Sequence, residues 1–447
     1  VPDAVYRMLT LLASLVLTLP VGTHLGMLHL SWMVVSGRLL ATRGAVIPGL
    51  SACGLDARAV RRAWAALGPG AWTIAGLLTR WRVLVAAEGR RQAHSHGGYH
   101  PVGVDVTGFW RPQLQQCPTR HYNAEAGKAL PAIVVGLIGR GGTVGSQRLA
   151  LPLEYVRADP ADPCSRTHER LLVRAAVAQC TDDDALVLDA GFGIALLQEE
   201  GATRFVVRCA KNSTFRRAQP PAYGGRGRIP TRGVLVRPLA RTFKGKLLAA
   251  TPPDRTETGQ DDGVTLRAEI WDALVLCDAA ADSPSFTGVA VHDPRYRDPL
   301  LLASPLALPA QRVHALYQDR WAVEQLPLAA KQMLGAARAF VHAPETCQRL
   351  PALALLAGAI LSYSAASSPA IPTGFWDRRP QPTPGRLRRA LAQRLFPQGF
   401  PLPARLRRKA SITAHLPTGF WGQRRRSAPA REVPGEQPPP PPLQEAA

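Results

Sequence analysis

The chain has 447 residues, 46% of them hydrophobic, and a formal net charge of +22. That length is too great for one compact core and implies two to four domains, while the ordinary apolar content and near-zero mean hydropathy describe a soluble globular protein. A chain this basic repels itself unless a polyanion is its partner, which narrows the classes to nucleic-acid binding or an anionic membrane surface.

The excess charge is mostly arginine, which suits bidentate phosphate contacts better than lysine. The cysteines (Cys53, Cys117, Cys164, Cys180, Cys209, Cys277 and Cys347) include no Cys-x-x-Cys pair. That argues against a zinc ribbon or a disulfide framework and fits a reducing cytoplasm.

In chain order, residues 8–40 come first as an apolar run, and Arg7 followed by MLTLLASLVLTLP has the charged and apolar regions of a signal peptide. Pro20, Gly22, His24 and His29 interrupt the run before it reaches about 20 apolar residues, so a buried helical hairpin is expected instead. Residues 55–81 carry apolar positions at helical spacing on both sides of Gly68-Pro69-Gly70, a helix-turn-helix pair that serves either DNA entry or plain packing. His94, His96 and His100 form the one metal-like cluster. They lack a convincing fourth ligand, and a solvated loop is expected there.

From Val102 the period changes. VGVDVTGFW alternates and reads as a strand, as do LPAIVVGLIGR and QRLALPLEYVRA. A helix over about 169–180 follows, then a buried strand DALVLDAG, a helix IALLQEEG and a strand RFVVRCA, which together predict a mixed α/β layer architecture. Residues 214–290 are strand-like with Gly and Pro turns and look like an insertion in that core. Residues 204–246 hold twelve Lys and Arg and no acid, which favours a phosphate-facing surface over a merely solvated one. After PLLLAS a long helix is predicted from about residue 309, then an apolar helix over 349–364. Residues 376–426 hold thirteen Lys and Arg against the single Asp377, and residues 434–447 form a Pro-rich tail read as disordered. The tetrapeptide TGFW recurs at Thr107, Thr373 and Thr418, short aromatic anchors from which no repeat architecture follows.

The richest motif lies in HALYQDRWAVEQLPLAAKQML. Tyr317, Arg320, Glu324 and Lys331 fall at i, i+3, i+7 and i+14, within an arc of roughly 60° on a straight helix. Asp319 and Gln325 lie off that face, and Pro327 is expected to kink the helix before Lys331.

Tyr-x2-Arg-x3-Glu-x6-Lys resembles the signature of a large branch of bacterial insertion-sequence transposases of the DDE type. The family's other elements follow in order: VDVTGFW with Asp105, LVLDAGFG with Asp189, then the basic strand FVVRCAKN and a β-rich insertion before Glu324. The resemblance covers about residues 5–395. It implies an α/β, ribonuclease-H-like mixed sheet with helices on both faces, a β-rich insertion, and helical N- and C-terminal regions. Its domains would be a helical DNA-binding or assembly region (1–92), a catalytic domain (93–345, insertion about 214–290), a helical region (346–400) and a basic, then Pro-rich tail (401–447).

The implied activity is DNA transposition and recombination, with endonucleolytic cleavage at element ends and strand transfer into target DNA. Asp105, Asp189 and Glu324 would be catalytic and hold two Mg²⁺ ions, with Mn²⁺ able to substitute. Three converging carboxylates with no basic partner call for hard divalent cations on physical grounds as well. Arg320 and Lys331 would hold phosphates and Tyr317 could hydrogen-bond one. Trp321 offers a face for an unstacked base or belongs to the core, and Arg208, Lys211 and Asn212 would line the DNA path. Tyr296 or Trp271 would support a flipped base. A cytoplasmic, nucleoid-associated homodimer assembled on DNA is expected, with no stable membrane association. The competing readings are a catalytically silent DNA-binding descendant and a stand-alone nuclease on the same fold.

Overall fold

The structure is a computed structural model that describes residues 2–407 apart from 20–23, 69–71, 112–113, 115–116, 281–282, 339–340 and 398. The third TGFW copy, the Pro-rich tail and residues 408–426 of the basic stretch lie outside the described residues, as does the Pro69-Gly70 break.

The chain opens with the helices α1 (Pro2–Val16), α2 (His24–Val35), α3 (Arg38–Ala41), α4 (Val46–Ser51), α5 (Ala57–Leu67) and α6 (Ile74–Glu88). Strands β1 (Arg91–Ala93), β2 (His100–Trp110), β3 (Arg120–Asn123), β4 (Lys128–Val144) and β5 (Gln147–Arg157) follow. Next come α7 (Ser165–Gln179), β6 (Asp184–Leu188), α8 (Ile194–Glu199) and β7 (Phe205–Arg208). The β-rich stretch comprises β8 (Phe215–Arg217), β9 (Leu235–Val236), β10 (Arg241–Phe243), β11 (Lys246–Leu248), β12 (Arg255–Asp261), β13 (Val264–Leu276), β14 (Phe286–His292) and β15 (Leu300–Ser304). Helices α9 (Ala310–Gln318), α10 (Trp321–Leu328), α11 (Pro344–Ala366), α12 (Pro384–Ala392) and α13 (Ala404–Arg407) complete it.

The fold is mixed α/β, built on one large sheet in the order β1-β4-β2-β6-β7-β15-β14-β13-β8-β9, with β3 and β5 also on β4 and β12 on β13. β6 lies parallel to both β2 and β7, whereas β4 pairs antiparallel with β2 and β5. Every residue of β6 is buried. A strand with both faces covered reads as a continuous apolar run instead of an alternating one, and DALVL is such a run. The supposed insertion does not stand apart: β14 pairs with β15 and β13 with β14, so its long strands extend the same sheet. Only β10 and β11 form a separate ribbon among the described residues.

Helices cover both faces. On one, the N-terminal helices pack with α10, α11 and α12 against β4 and β5 in a single core that includes Met8, Trp32, Trp81, Leu326 and Leu356. Trp81 meets Tyr363 edge-on at 5.3 Å, and Arg7 pairs with Glu88 at 2.7 Å across the helices. The expected buried hairpin is therefore present, and every α2 residue except Leu25 is buried. α11 is long and apolar enough to cross a membrane, but 83% of that window is buried inside the fold, as in a core helix. On the other face, α7 and α8 bury Leu172, Val173, Leu196 and Leu197 against the sheet. Local chemistry sets the helix starts: Asp56 accepts from the Ala59 N–H at 2.7 Å, and Thr73 accepts from the Gly76 N–H at 3.1 Å.

The long helix expected from residue 309 is divided. α9 ends at Gln318, Asp319 and Arg320 turn, α10 begins at Trp321, and residues 329–333 form a wide π-helical turn. Pro327 offers no N–H to the ladder and its ring crowds the carbonyl one turn back, so the regular bonding ends near it. The common arc of Tyr317, Arg320, Glu324 and Lys331 is thus not that of one straight helix.

Candidate active site

Asp105 and Asp189 come together because β2 and β6 run parallel in register. The last paired rung is Gly103 with Val187, and each aspartate lies two residues beyond it in its own chain. Asp105 is inside β2, not at its end, at the point where its parallel partner stops. Asp189 follows β6 directly and turns the chain: its Oδ1 accepts from the Gly191 N–H at 2.9 Å. This Asx-type turn accompanies its position in the site. Both carboxylates line a cleft of about 340 Å³ with His121, His168, Glu169 and Phe192.

Glu324 arrives on α10, which packs on β2, β4 and β5. Burial pushes the Asp105 carboxyl up to about 6, with the negative charges of Asp189 and Glu324 acting the same way and the Val106 N–H and Arg320 opposing. The Glu324 charge therefore reaches Asp105. The three sets of oxygens are not drawn into one ligand sphere, however: among the described residues, the group of His, Cys, Asp or Glu whose ligand atoms all lie within 4.8 Å is His94, His96 and Asp319. Glu324 Oε1 instead accepts from Arg320 Nη1 at 2.5 Å.

Lys331 donates to Thr107 Oγ1 at 2.6 Å and lies over the Trp110 ring at 4.6 Å. Burial lowers its pKa to about 8, with Asp105 opposing. The first TGFW copy is therefore part of the site, where its Thr and Trp hold the lysine of the last motif. Tyr317 is buried at 8% exposure, with its ring 5.3 Å from the Arg320 guanidinium. It supports that arginine from below, which a straight-helix arc did not suggest.

Beyond Arg320 opens a second cleft of about 830 Å³, lined by Arg208, Lys211, Tyr296, Tyr317, Arg320 and Trp321 among others. Trp321 is 53% exposed and Tyr296 70%, so both present aromatic surface to solvent. Trp271 does not: it is fully buried, and its indole N–H donates to the Thr251 and Pro252 carbonyls. Lys211 pairs with Asp298 at 2.6 Å, and the Asn212 carbonyl accepts from Arg241. Asn212 is not among the residues lining either cleft.

The basic stretch is only partly free. Arg204 pairs with Asp182, and Arg217 with Asp254. Arg216, Arg232 and Arg237 donate to backbone carbonyls. The side chains of Arg226, Arg228, Lys244 and Lys246 are exposed and make no hydrogen bond or ion pair with the described residues, although Lys244 lies over the Phe243 ring at 5.6 Å.

No family model matches this chain, and no curated protein matches it.

Sequence reasoning missed two acids. Glu169 lines the Asp105–Asp189 cleft from α7, and burial, reinforced by Asp189, raises its pKa despite Arg166. No motif marks it. Asp319 lies off the Arg320 face, yet it is the carboxylate on which His94 and His96 converge. Those histidines are not in a merely solvated loop. No local pattern marks this contact, because Asp319 meets histidines that lie 225 and 223 residues away in the chain.

Proposed function

We propose that the protein is a DNA transposase of the DDE type, cutting DNA at element ends and joining the ends to target DNA. One observation carries the reading: Asp105 on β2 and Asp189 just past its parallel neighbour β6 lie two residues beyond the same paired rung, and Glu324 acts on Asp105 as a like charge from α10. The strand order β5-β4-β2-β6-β7, antiparallel first and then parallel, is the order a ribonuclease-H-like core would have, which supports the fold implied by the motifs.

The donor set suits a hard divalent cation, because carboxylate oxygens are its preferred ligands and it would relieve the negative charge that raises the proton affinity of Asp105. Asp105, Asp189 and Glu324 would hold two Mg²⁺ ions, or Mn²⁺ in their place, which when bound would polarise the phosphate and activate the attacking oxygen. Arg320 would exchange Glu324 for the phosphate beside it. Lys331, held by Thr107, would present a fixed positive charge to the same backbone. Trp321 and Tyr296, exposed around the larger cleft, would stack on an unpaired terminal base, and Arg208 and Lys211 would follow the strand outward. Assembly as a homodimer on DNA in a bacterial cytoplasm belongs to the same proposal.

The test uses the full chain and labelled duplexes covering the DNA on either side of its coding region, in Mg²⁺. Wild type should cut one end sequence and join a pre-cut end to target DNA. Glu324→Gln should bind that end as tightly in a gel shift while cutting and joining are lost. Binding by wild type without cutting would favour the silent DNA-binding descendant. Cutting without joining would favour the nuclease.

A further inference from the structure

We infer that His94, His96 and Asp319 form a binding site for a divalent transition-metal ion of the zinc type, separate from the three-carboxylate site. Two imidazoles aim one nitrogen each at the same buried oxygen: His94 Nδ1 lies 2.8 Å and His96 Nε2 2.7 Å from Asp319 Oδ2. The Asp319 side chain is 2% exposed, while those of His94 and His96 are 20% and 21% exposed, so an ion has an approach from solvent and a buried anchor beneath it. All three ligand atoms lie within 4.8 Å of one another, close to the spacing of about 3.3 Å along the edge of a tetrahedron with metal bonds near 2.05 Å.

The surroundings are those a ligand set requires. His94 Nε2 meets Thr143 Oγ1, which fixes the ring's orientation from behind. His100 does not join the set. Its Nδ1 instead bonds the His94 carbonyl at 2.5 Å and steadies the backbone. His96 begins a tight turn closed by two bonds with Tyr99, of 2.9 and 3.2 Å. Gly97 and Gly98 in that turn have φ of 62° and 90°, a conformation that side-chain-bearing residues rarely adopt. Arg148 approaches the other carboxylate oxygen, Oδ1, at 3.3 Å and leaves Oδ2 to the histidines. Two imidazoles and one carboxylate, with a fourth position open to water, favour zinc or its first-row neighbours over Mg²⁺, which prefers an all-oxygen shell. Bound there, the ion would tie the β1–β2 connection to the turn that immediately precedes Arg320.

The test is equilibrium dialysis of the chelator-treated full chain against Co²⁺, a coloured stand-in for zinc, with excess Mg²⁺ present to occupy carboxylate-only sites. Wild type should take up one Co²⁺ per chain, with visible d–d absorption. His96→Gln should weaken uptake at least about tenfold, and Asp105→Asn should leave it unchanged. His94→Gln serves as the second variant should His96→Gln misfold by circular dichroism. No uptake by wild type, equal uptake by the histidine variants, or loss of uptake in Asp105→Asn would each overturn the site. Metal content is read without DNA, so failure here is distinct from failure of the transposase reading.

Discussion

Gly103 on β2 and Val323 on α10 set how closely the Glu324 helix approaches the strand that carries Asp105. A Cβ added to Gly103 would stand 2.6 Å from Val323 Cγ2 and 3.7 Å from the Arg320 Cα. Val323 is fully buried, and a β-branched side chain has few rotamers with which to yield. Gly103→Ala should therefore shift α10 outward and destabilise the protein by about 1–3 kcal/mol, read as a lower urea midpoint. If the transposase reading holds, cleavage should fall by more than the loss of folded protein explains, since a displacement of about 1 Å can cost 100-fold in rate.

The exposed cations of the β-rich stretch divide into free and paired groups, and their effects on DNA binding should divide likewise. Converting Arg226, Arg228, Lys244 and Lys246 to Ala should weaken binding about equally on all sequences. The slope of log affinity against log salt should drop by about one for each phosphate that is no longer neutralised. Arg217, in its ion pair with Asp254 at 2.6 Å, should change the slope less on replacement. An unchanged slope in the fourfold variant would make this face solvated surface only.

What could be read from the sequence follows the range of the forces involved. β2, β6 and β7 were legible because burial of one or both strand faces writes a local pattern. Asp105, Asp189 and Glu324 were singled out by the resemblance of their motifs, and the structure places the first two on one cleft. The π turn after Pro327 was legible only as a kink, because proline marks where a ladder fails but not what replaces it, and the break at Asp319–Arg320 was not legible at all. The docking of α2 on α11, hundreds of residues away, is a matter of tertiary packing between apolar helices, and α2, buried nearly all round, carries no periodic mark of it. Asp319 against two distant histidines was invisible because the contact is long-range in the chain.

His29 should make stability sensitive to acid. It is 5% exposed, and its pKa is lowered to about 4 by burial, with Arg62 acting the same way and Asp56 opposing. A histidine depressed in the folded state binds its proton first in the unfolded chain. Stability is therefore full above about pH 6.5 and is lost as pH falls towards 4, by about 3 kcal/mol from this residue. His121, His168 and His314 are lowered by burial too and add to the slope. Urea midpoints at pH 7 and pH 5 should differ, and His29→Phe, which keeps an aromatic partner for Phe396 at 4.6 Å, should narrow the difference.

Arg320 and Glu324 should part company when each is changed. Arg320 has a side chain 13% exposed, held between the Tyr317 ring and Glu324 Oε1. Its guanidinium satisfies the glutamate, and it lines the larger cleft from which a phosphate would enter. Arg320→Ala removes the orienting charge but leaves Asp105, Asp189 and Glu324 in place. Cleavage should then slow about 100-fold without vanishing. Freed from its ion pair, Glu324 should reach half-maximal activity at a lower Mg²⁺ concentration than in wild type. Arg320→Lys should recover only part of the rate, because a point charge on a flexible stem does not reproduce the planar fork. Glu324→Gln should give no cleavage at any Mg²⁺ concentration. Titrating Mg²⁺ against the cleavage rate for these variants separates the two roles. Should Arg320→Ala need more Mg²⁺ than wild type, the pairing of Arg320 with Glu324 would be helping to assemble the cation site, and a competition between Arg320 and the cation for Glu324 would be wrong.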